Sequence, residues 1–223
     1  MAKTAFSRPF TVAKTAQTLD GKVATRNGRS KWITSQRTRD FAHRRRDQFD
    51  AIIVGANTLI QDDPELNGVR SKKLAKIVVD TTLRVSPRSR IFLSPQLCWL
   101  ATTRKAKKTT LKQFQNMGVN ILLCPSRGGR VSLPYLFDRM KRLGFNKVLI
   151  EGGPTLIGTA LKERLVDRMH IYIAPKIMGD SKALASVSGL TPLNVSTLSM
   201  LERIKIKKID PDILVEADVY RHR

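Results

Sequence analysis

The sequence predicts an α/β fold: a mixed, mostly parallel sheet flanked by helices, with a C-terminal antiparallel hairpin. Two observations carry this. Between residues 50 and 165 short apolar runs alternate with stretches of helical spacing, which implies parallel strands joined by crossover helices. Toward the C-terminus that pattern gives way to two runs of alternating residues on either side of Asp210-Pro211-Asp212, the mark of a hairpin. In such a sheet, ligands collect beyond the carboxyl ends of the parallel strands. A chain of 223 residues can bury a sizeable core, and no linker divides it, so one domain over 1–223 is expected.

Each element has a local cause. Residues 10–16 alternate weakly and form a first strand, followed by a turn at Leu19-Asp20-Gly21-Lys22 and a polar, basic loop to Lys31. Thr34 or Ser35 caps a helix that runs to about Asp47, with His43-Arg44-Arg45-Arg46 at the negative end of its dipole. Residues 50–54 are a short buried strand. Gly55 opens a brief helix over 56–61, which Asp63-Pro64 stops. Further strands fall at 76–80, 97–103 and 119–124. The helices between them are marked by Leu111, Phe114 and Met117 and by Leu133, Leu136, Phe137 and Met140, and end at Gly118 and Gly144. Residues 169–176, 203–209 and 213–220 alternate as strands, while 177–200 is rich in small and polar residues and receives no assignment.

Composition narrows the partners. Lys and Arg number 41 against 18 for Asp and Glu, a formal charge of +23, so anionic ligands are expected. The basic residues are spread along the chain with few aromatics and no nucleic-acid motif, which reads as a solvated surface that steers phosphorylated small molecules. Cys98 and Cys124 each lie in an apolar run and read as reduced core residues. Residues 1–9 hold no apolar signal core and no stretch reaches the length of a membrane span. A soluble, cytoplasmic protein is therefore expected.

The most informative stretch is Lys147-Val-Leu-Ile-Glu-Gly-Gly-Pro-Thr-Leu156, an apolar strand that passes through paired glycines into an amphipathic helix. Glycines let a ligand approach the backbone, Pro154 suits the first helical turn, and Leu156, Ile157, Ala160, Leu161 and Leu165 anchor the helix so that its N-terminus faces the ligand. A diphosphate fits there; a plain strand-to-helix turn is the simpler reading of a lone Gly-Gly. Glu151 tips the balance, since a carboxylate beside an anion site needs a role of its own. Thr58 and Asp62 share a helix face and are candidates for holding a sugar, or are only solvated. Thr81, Thr82 and Arg84, or Thr102, Thr103, Arg104 and Lys105, would suit the 2′-phosphate of NADPH, as would any basic loop. His43, His170 and His222 are scattered, so no metal is expected, and the common elbow, Walker, Rossmann and zinc-deaminase motifs are missing.

Taken in order, Arg8-Pro9-Phe10, Leu19-Asp20-Gly21-Lys22, Ser30-Lys31-Trp32-Ile33-Thr34-Ser35, Asp50-Ala51-Ile52-Ile53-Val54-Gly55, Thr58, Asp62-Asp63-Pro64-Glu65-Leu66 and Glu151-Gly152-Gly153-Pro154-Thr155-Leu156 resemble the riboflavin-biosynthesis pyrimidine reductases, the reductase half of the bacterial deaminase-reductase. The resemblance implies a dihydrofolate-reductase-like fold, a homodimer, and NADPH-dependent reduction of the ribosyl group of a phosphoribosylamino-pyrimidine to ribityl. It implies that Gly153, Pro154, Thr155, Leu156, Ile157, Gly158 and Thr159 bind the NADPH diphosphate, and that Ala16, Trp32, Thr58, Asp62 and Thr81 contact the cofactor. Ser30, Arg46, Leu66, Arg70 (or its neighbour Lys72) and Glu151 would hold the phosphorylated pyrimidine. Asp62 or Glu151 would carry the catalytic proton. Two alternatives stand beside it: another NADPH reductase on this scaffold acting on a pterin, and a basic nucleic-acid-binding protein, for which Glu151-Gly152-Gly153-Pro154 would have no use.

Overall fold

A computed structural model describes residues 7–70 and 73–220; Lys72 and His222, named above, lie outside the described residues. In chain order the strands are β1 (Phe10–Thr18), β2 (Lys22–Ala24), β3 (Ala51–Gly55), β4 (Ala75–Val79), β5 (Cys98–Thr102), β6 (Asn120–Leu123), β7 (Ser126–Arg127), β8 (Arg130–Val131), β9 (Lys147–Glu151), β10 (Arg168–Ala174), β11 (Leu184–Ala185), β12 (Leu201–Ile209) and β13 (Asp212–Val219). The α-helices are α1 (Gln36–Arg45), α2 (Ala56–Asp62), α3 (Lys108–Asn116), α4 (Leu133–Arg142) and α5 (Pro154–Lys162). A nine-stranded sheet has the order β12-β13-β10-β1-β9-β3-β4-β5-β6. From β10 to β6 every pairing is parallel; in this sheet β13 alone runs the other way, pairing antiparallel with β10 on one side and β12 on the other.

The central strands are apolar on both sides because both sides are covered. Ile52 and Val54 pack with Leu59 of α2 and Phe114 of α3, while Ile53 and Ile150 pack with Phe137 of α4 and Ile157 of α5. Leu59, Phe114 and Phe137 are completely buried, each contributing roughly 1.5–3 kcal/mol by leaving water. Both cysteines sit in this core, and burial pushes their thiols up to about 11.

Several boundaries differ from expectation for local reasons. Of the two candidate caps, Ser35 takes the role, accepting the Thr38 N–H at 3.2 Å. The helix closes at Arg45 and tightens into a 3-10 turn over Arg46–Gln48. The expected polar loop after the first turn contains β2, which pairs with β11 from the unassigned 177–200 segment.

At the other end of the sheet, α1 covers one face of the hairpin: Phe41 and Ala42 pack on Tyr172, Leu214 and Ile209. Beneath the same helix, His170 is buried against Glu216, and burial, with the charge of Arg45, holds its pKa down to about 4. On the opposite face the paired rows Ile171, Val215, Ile206 and Ile173, Ile213 leave Ile206 71% exposed.

Candidate active site

A cleft of ≈ 1220 Å³ opens along the carboxyl ends of the parallel strands. The turn after β9 forms its middle. Gly152 and Gly153 have φ of 104° and 84°, a region that side chains rarely adopt, and a Cβ on either would lie 3.3 Å from the Thr58 side chain. The pair is thus needed both for the turn and for the close approach of α2. Gly158, one turn into α5, serves another purpose, since a Cβ there would stand 1.9 Å from the Ser188 carbonyl oxygen. The 184–188 segment lies directly on α5, with the Ser188 N–H donating to the Pro154 carbonyl at 3.1 Å.

At one end of the cleft a charged pair closes the floor. Glu151, the last residue of β9, is gripped by Arg46 through Nε at 2.9 Å and Nη2 at 2.8 Å. The two side chains are 6% and 11% exposed. Burial alone would raise the Glu151 pKa, but Arg46, then Lys14, outweigh it and hold the carboxyl at about 2. Glu151 is therefore an anion at neutral pH, able to accept hydrogen bonds or stabilise positive charge but not to donate a proton. Lys14 stands beside it in register on β1 and also lines the cleft. Nearby, Ser30 Oγ donates to Asp62 Oδ1 at 2.7 Å, joining the basic loop to the end of α2.

The opposite end is basic, with Arg84 held by Asp80 at 3.7 Å and donating to Asn57 Oδ1 at 2.8 Å. Asp80, 2% exposed, accepts the N–H groups of Thr82, Arg84 and Val85, so the turn after β4 is folded around its carboxylate. This presents Thr81 and Arg84 to the cleft, and Arg130 reaches it from the β7–β8 hairpin. The Thr102 and Thr103 hydroxyls instead donate to the Thr81 carbonyl at 3.1 and 3.0 Å and only support that turn.

Of the described residues that the resemblance assigns to cofactor and substrate, Ala16, Ser30, Trp32, Arg46, Thr58, Asp62, Leu66, Thr81, Glu151, Gly153, Pro154, Thr155, Leu156, Ile157 and Thr159 line this one cleft. Two do not. Gly158 is packed under Ser188, and Arg70 is an exposed residue outside the lining whose N–H donates to Asp47 at 3.0 Å. Arg46 holds Glu151 with two of its nitrogens and the Asn67 carbonyl with the third. Lys14, Arg130, Ser186 and Ser188 were not anticipated. Lys14 was hidden in a weakly alternating strand, and the serines in a segment with no periodicity to read.

Residues 9–215 match the family described as the RibD C-terminal domain. The chain belongs to this family. The riboflavin biosynthesis protein RibD of Actinobacillus pleuropneumoniae is 34% identical over 224 residues, which cover 94% of this chain and 56% of that protein. This RibD C-terminal domain chain therefore spans about half the length of the curated RibD proteins it matches. Among solved structures, RibD of Acinetobacter baumannii superposes with a TM-score of 0.83 at 24% identity, over 96% of this chain and 58% of that one. A Thermotoga maritima protein described as a diaminohydroxyphosphoribosylaminopyrimidine deaminase/5-amino-6-(5-phosphoribosylamino)uracil reductase gives 0.76 at 25% identity, over 96% and 57%. Dihydrofolate reductase from Enterococcus faecalis gives 0.52 at 10% identity, over 95% and 97%, so the fold is dihydrofolate-reductase-like.

Proposed function

We propose that residues 1–223 act as one NADPH-dependent reductase domain, converting the ribosyl group of 5-amino-6-(5-phosphoribosylamino)uracil, or of its 2,5-diamino-pyrimidinone counterpart, to ribityl. The observation that carries the reading is a single cleft with a glycine-lined helix N-terminus between a cationic end and a buried Glu151–Arg46 pair. Its ≈ 1220 Å³ exceeds the roughly 300–1,000 Å³ of a pocket for one small ligand, which supports a reading with two ligands.

The residues suit that pair of ligands. Gly153 and the first turn of α5 take a diphosphate on backbone N–H groups, with Thr155 and Thr159 beside it. Thr81, Arg84 and Arg130 suit a 2′-phosphate, which is what favours NADPH over NADH. Bound there, NADPH supplies a hydride for C1′ of the ring-opened ribosylamine. Holding two reactants in line is worth roughly 7–11 kcal/mol, so positioning by Trp32, Thr58 and Leu66 carries most of the rate. The buried Glu151 carboxylate faces the same space and favours the positive charge of a protonated imine. Asp62, hydrogen-bonded to Ser30, is the carboxyl group that remains for moving the proton, directly or through water.

The protein is read as a cytoplasmic homodimer. No helix among the described residues is long and apolar enough to cross a membrane. The half-exposed row Ile206, Ile213 and Val215 on the hairpin's open face is the surface a second copy would cover. The test is consumption of NADPH, followed by absorbance, with each pyrimidine phosphate supplied separately and an unphosphorylated pterin as control. Turnover with one of the pyrimidines is expected, and turnover with the pterin alone would replace this reading.

A further inference from the structure

The buried charge without a role so far is Lys76. It sits on β4 in the middle of the parallel sheet, is 3% exposed, and forms no ion pair among the described residues. Its ammonium donates at 2.6 Å to Asn67 Oδ1. Burial lowers its pKa, offset in part by Cys98 and Glu65. An ammonium taken this far from water with only a neutral amide as its hydrogen-bond partner opposes folding, and an apolar side chain of like length would avoid that cost. Such a group needs a reason other than stability.

Asn67 supplies that reason. Its side chain is held between Lys76 and Glu65, to which its Nδ2 donates at 2.9 Å. Its backbone carbonyl accepts from Arg46 Nη1 at 3.0 Å, and the same guanidinium grips Glu151 through its other two nitrogens. The residue before it, Leu66, lines the cleft at a φ of 54°, a left-handed conformation for a branched side chain. Such a backbone persists only where its surroundings hold it. From core to cleft the contacts run Lys76, Asn67, Arg46, Glu151.

We propose that Lys76 is a positioning residue for the substrate half of the cleft: by pinning Asn67 it fixes the carbonyl that orients Arg46 and the turn that presents Leu66. The inference rests on the reading that the pyrimidine phosphate binds at that end; the coenzyme end, built from α5 and the turn after β4, shares no hydrogen bond with Lys76 or Asn67 among the described residues.

Lys76→Met removes the ammonium and keeps the length of the side chain. A merely structural lysine would lower the unfolding temperature and leave the Michaelis constants alone. The proposal expects the reverse: an unfolding temperature equal to or above wild type, unchanged NADPH affinity, and a KM for the pyrimidine phosphate raised about tenfold, the size of one charge-assisted hydrogen bond. Asn67→Ala removes the same contact from an exposed residue, keeps the carbonyl, and tests the idea even if the core variant folds poorly. It should raise KM by a similar factor, with the double variant no worse than either single one. Unchanged KM in Asn67→Ala, or additive effects in the pair, would overturn the proposal. A wild-type chain that consumes no NADPH with either pyrimidine defeats the reading of the site instead.

Discussion

The Glu151–Arg46 pair makes the sharpest test of the site, because one isosteric change, Glu151→Gln, separates its effects on stability and on turnover. The carboxyl is held at about 2 against an ordinary 4.5, which corresponds to about 3 kcal/mol of folding free energy at neutral pH. The sign follows from the direction. A depressed carboxyl contributes in full above its unfolded pKa, and the contribution is lost as pH falls from about 4.5 toward about 2. For a chain of this size 1 kcal/mol moves the unfolding temperature by about 2–4 °C. Glu151→Gln should therefore melt roughly 6–12 °C below wild type at neutral pH, and the gap should narrow below about pH 4.5 and close only as the pH approaches about 2. The assay is thermal unfolding by circular dichroism across that range, beside NADPH calorimetry and turnover at neutral pH. Coenzyme binding should persist while turnover falls roughly a hundredfold. Parallel melting curves for the two proteins across the acid range, or wild-type turnover in the variant, would refute the reasoning.

Two further changes address the coenzyme half. Gly158→Ala puts a methyl group 1.9 Å from the Ser188 carbonyl oxygen; the roughly 1 kcal/mol that alanine gains in a helix is outweighed by about 1–3 kcal/mol of overpacking against backbone. Lower thermal stability and weaker NADPH binding by calorimetry are expected, and an unchanged coenzyme affinity would mean that the 184–188 segment is no wall of the site. Arg84→Ala and Arg130→Ala should each reduce kcat/KM for NADPH roughly tenfold and leave NADH nearly unaffected. If both coenzymes weaken alike, these arginines steer anions in general and do not select the 2′-phosphate.

Much of the fold was legible because it is written in local patterns. The short, β-branched run Ala51-Ile52-Ile53-Val54 fits a strand buried on both faces, and Leu133, Leu136, Phe137 and Met140 share a helix face by their spacing. The β2–β11 ladder was not legible. Its two strands are three and two residues long and lie far apart in sequence, so neither has a period to detect. What fixes that segment is a contact: Ser188 rests on the one position of α5 that has no side chain.

The site divides the same way, and the division explains which residues the sequence reveals. Glu151, Gly152 and Gly153 stand out because strand, turn and helix follow without a gap, so the motif and the geometry coincide. Arg46 is legible as a cleft residue but not as a clamp, since a basic helix end looks alike whether its arginines await a phosphate or hold a carboxylate. Only a tertiary partner distinguishes these, and Glu151 lies 105 positions away. The same holds for Lys14 and Lys76. The first lies in a strand of mixed polarity and the second in an otherwise apolar one, where alternation predicts solvated side chains, and each instead neighbours a group that another element supplies: Glu151 in register with the first, Asn67 hydrogen-bonded to the second. A lysine in a strand that the sheet buries on both faces is therefore not a lapse in the pattern. Lys76 is kept at the cost of burying its charge because Asn67, and through it Arg46, depends on it.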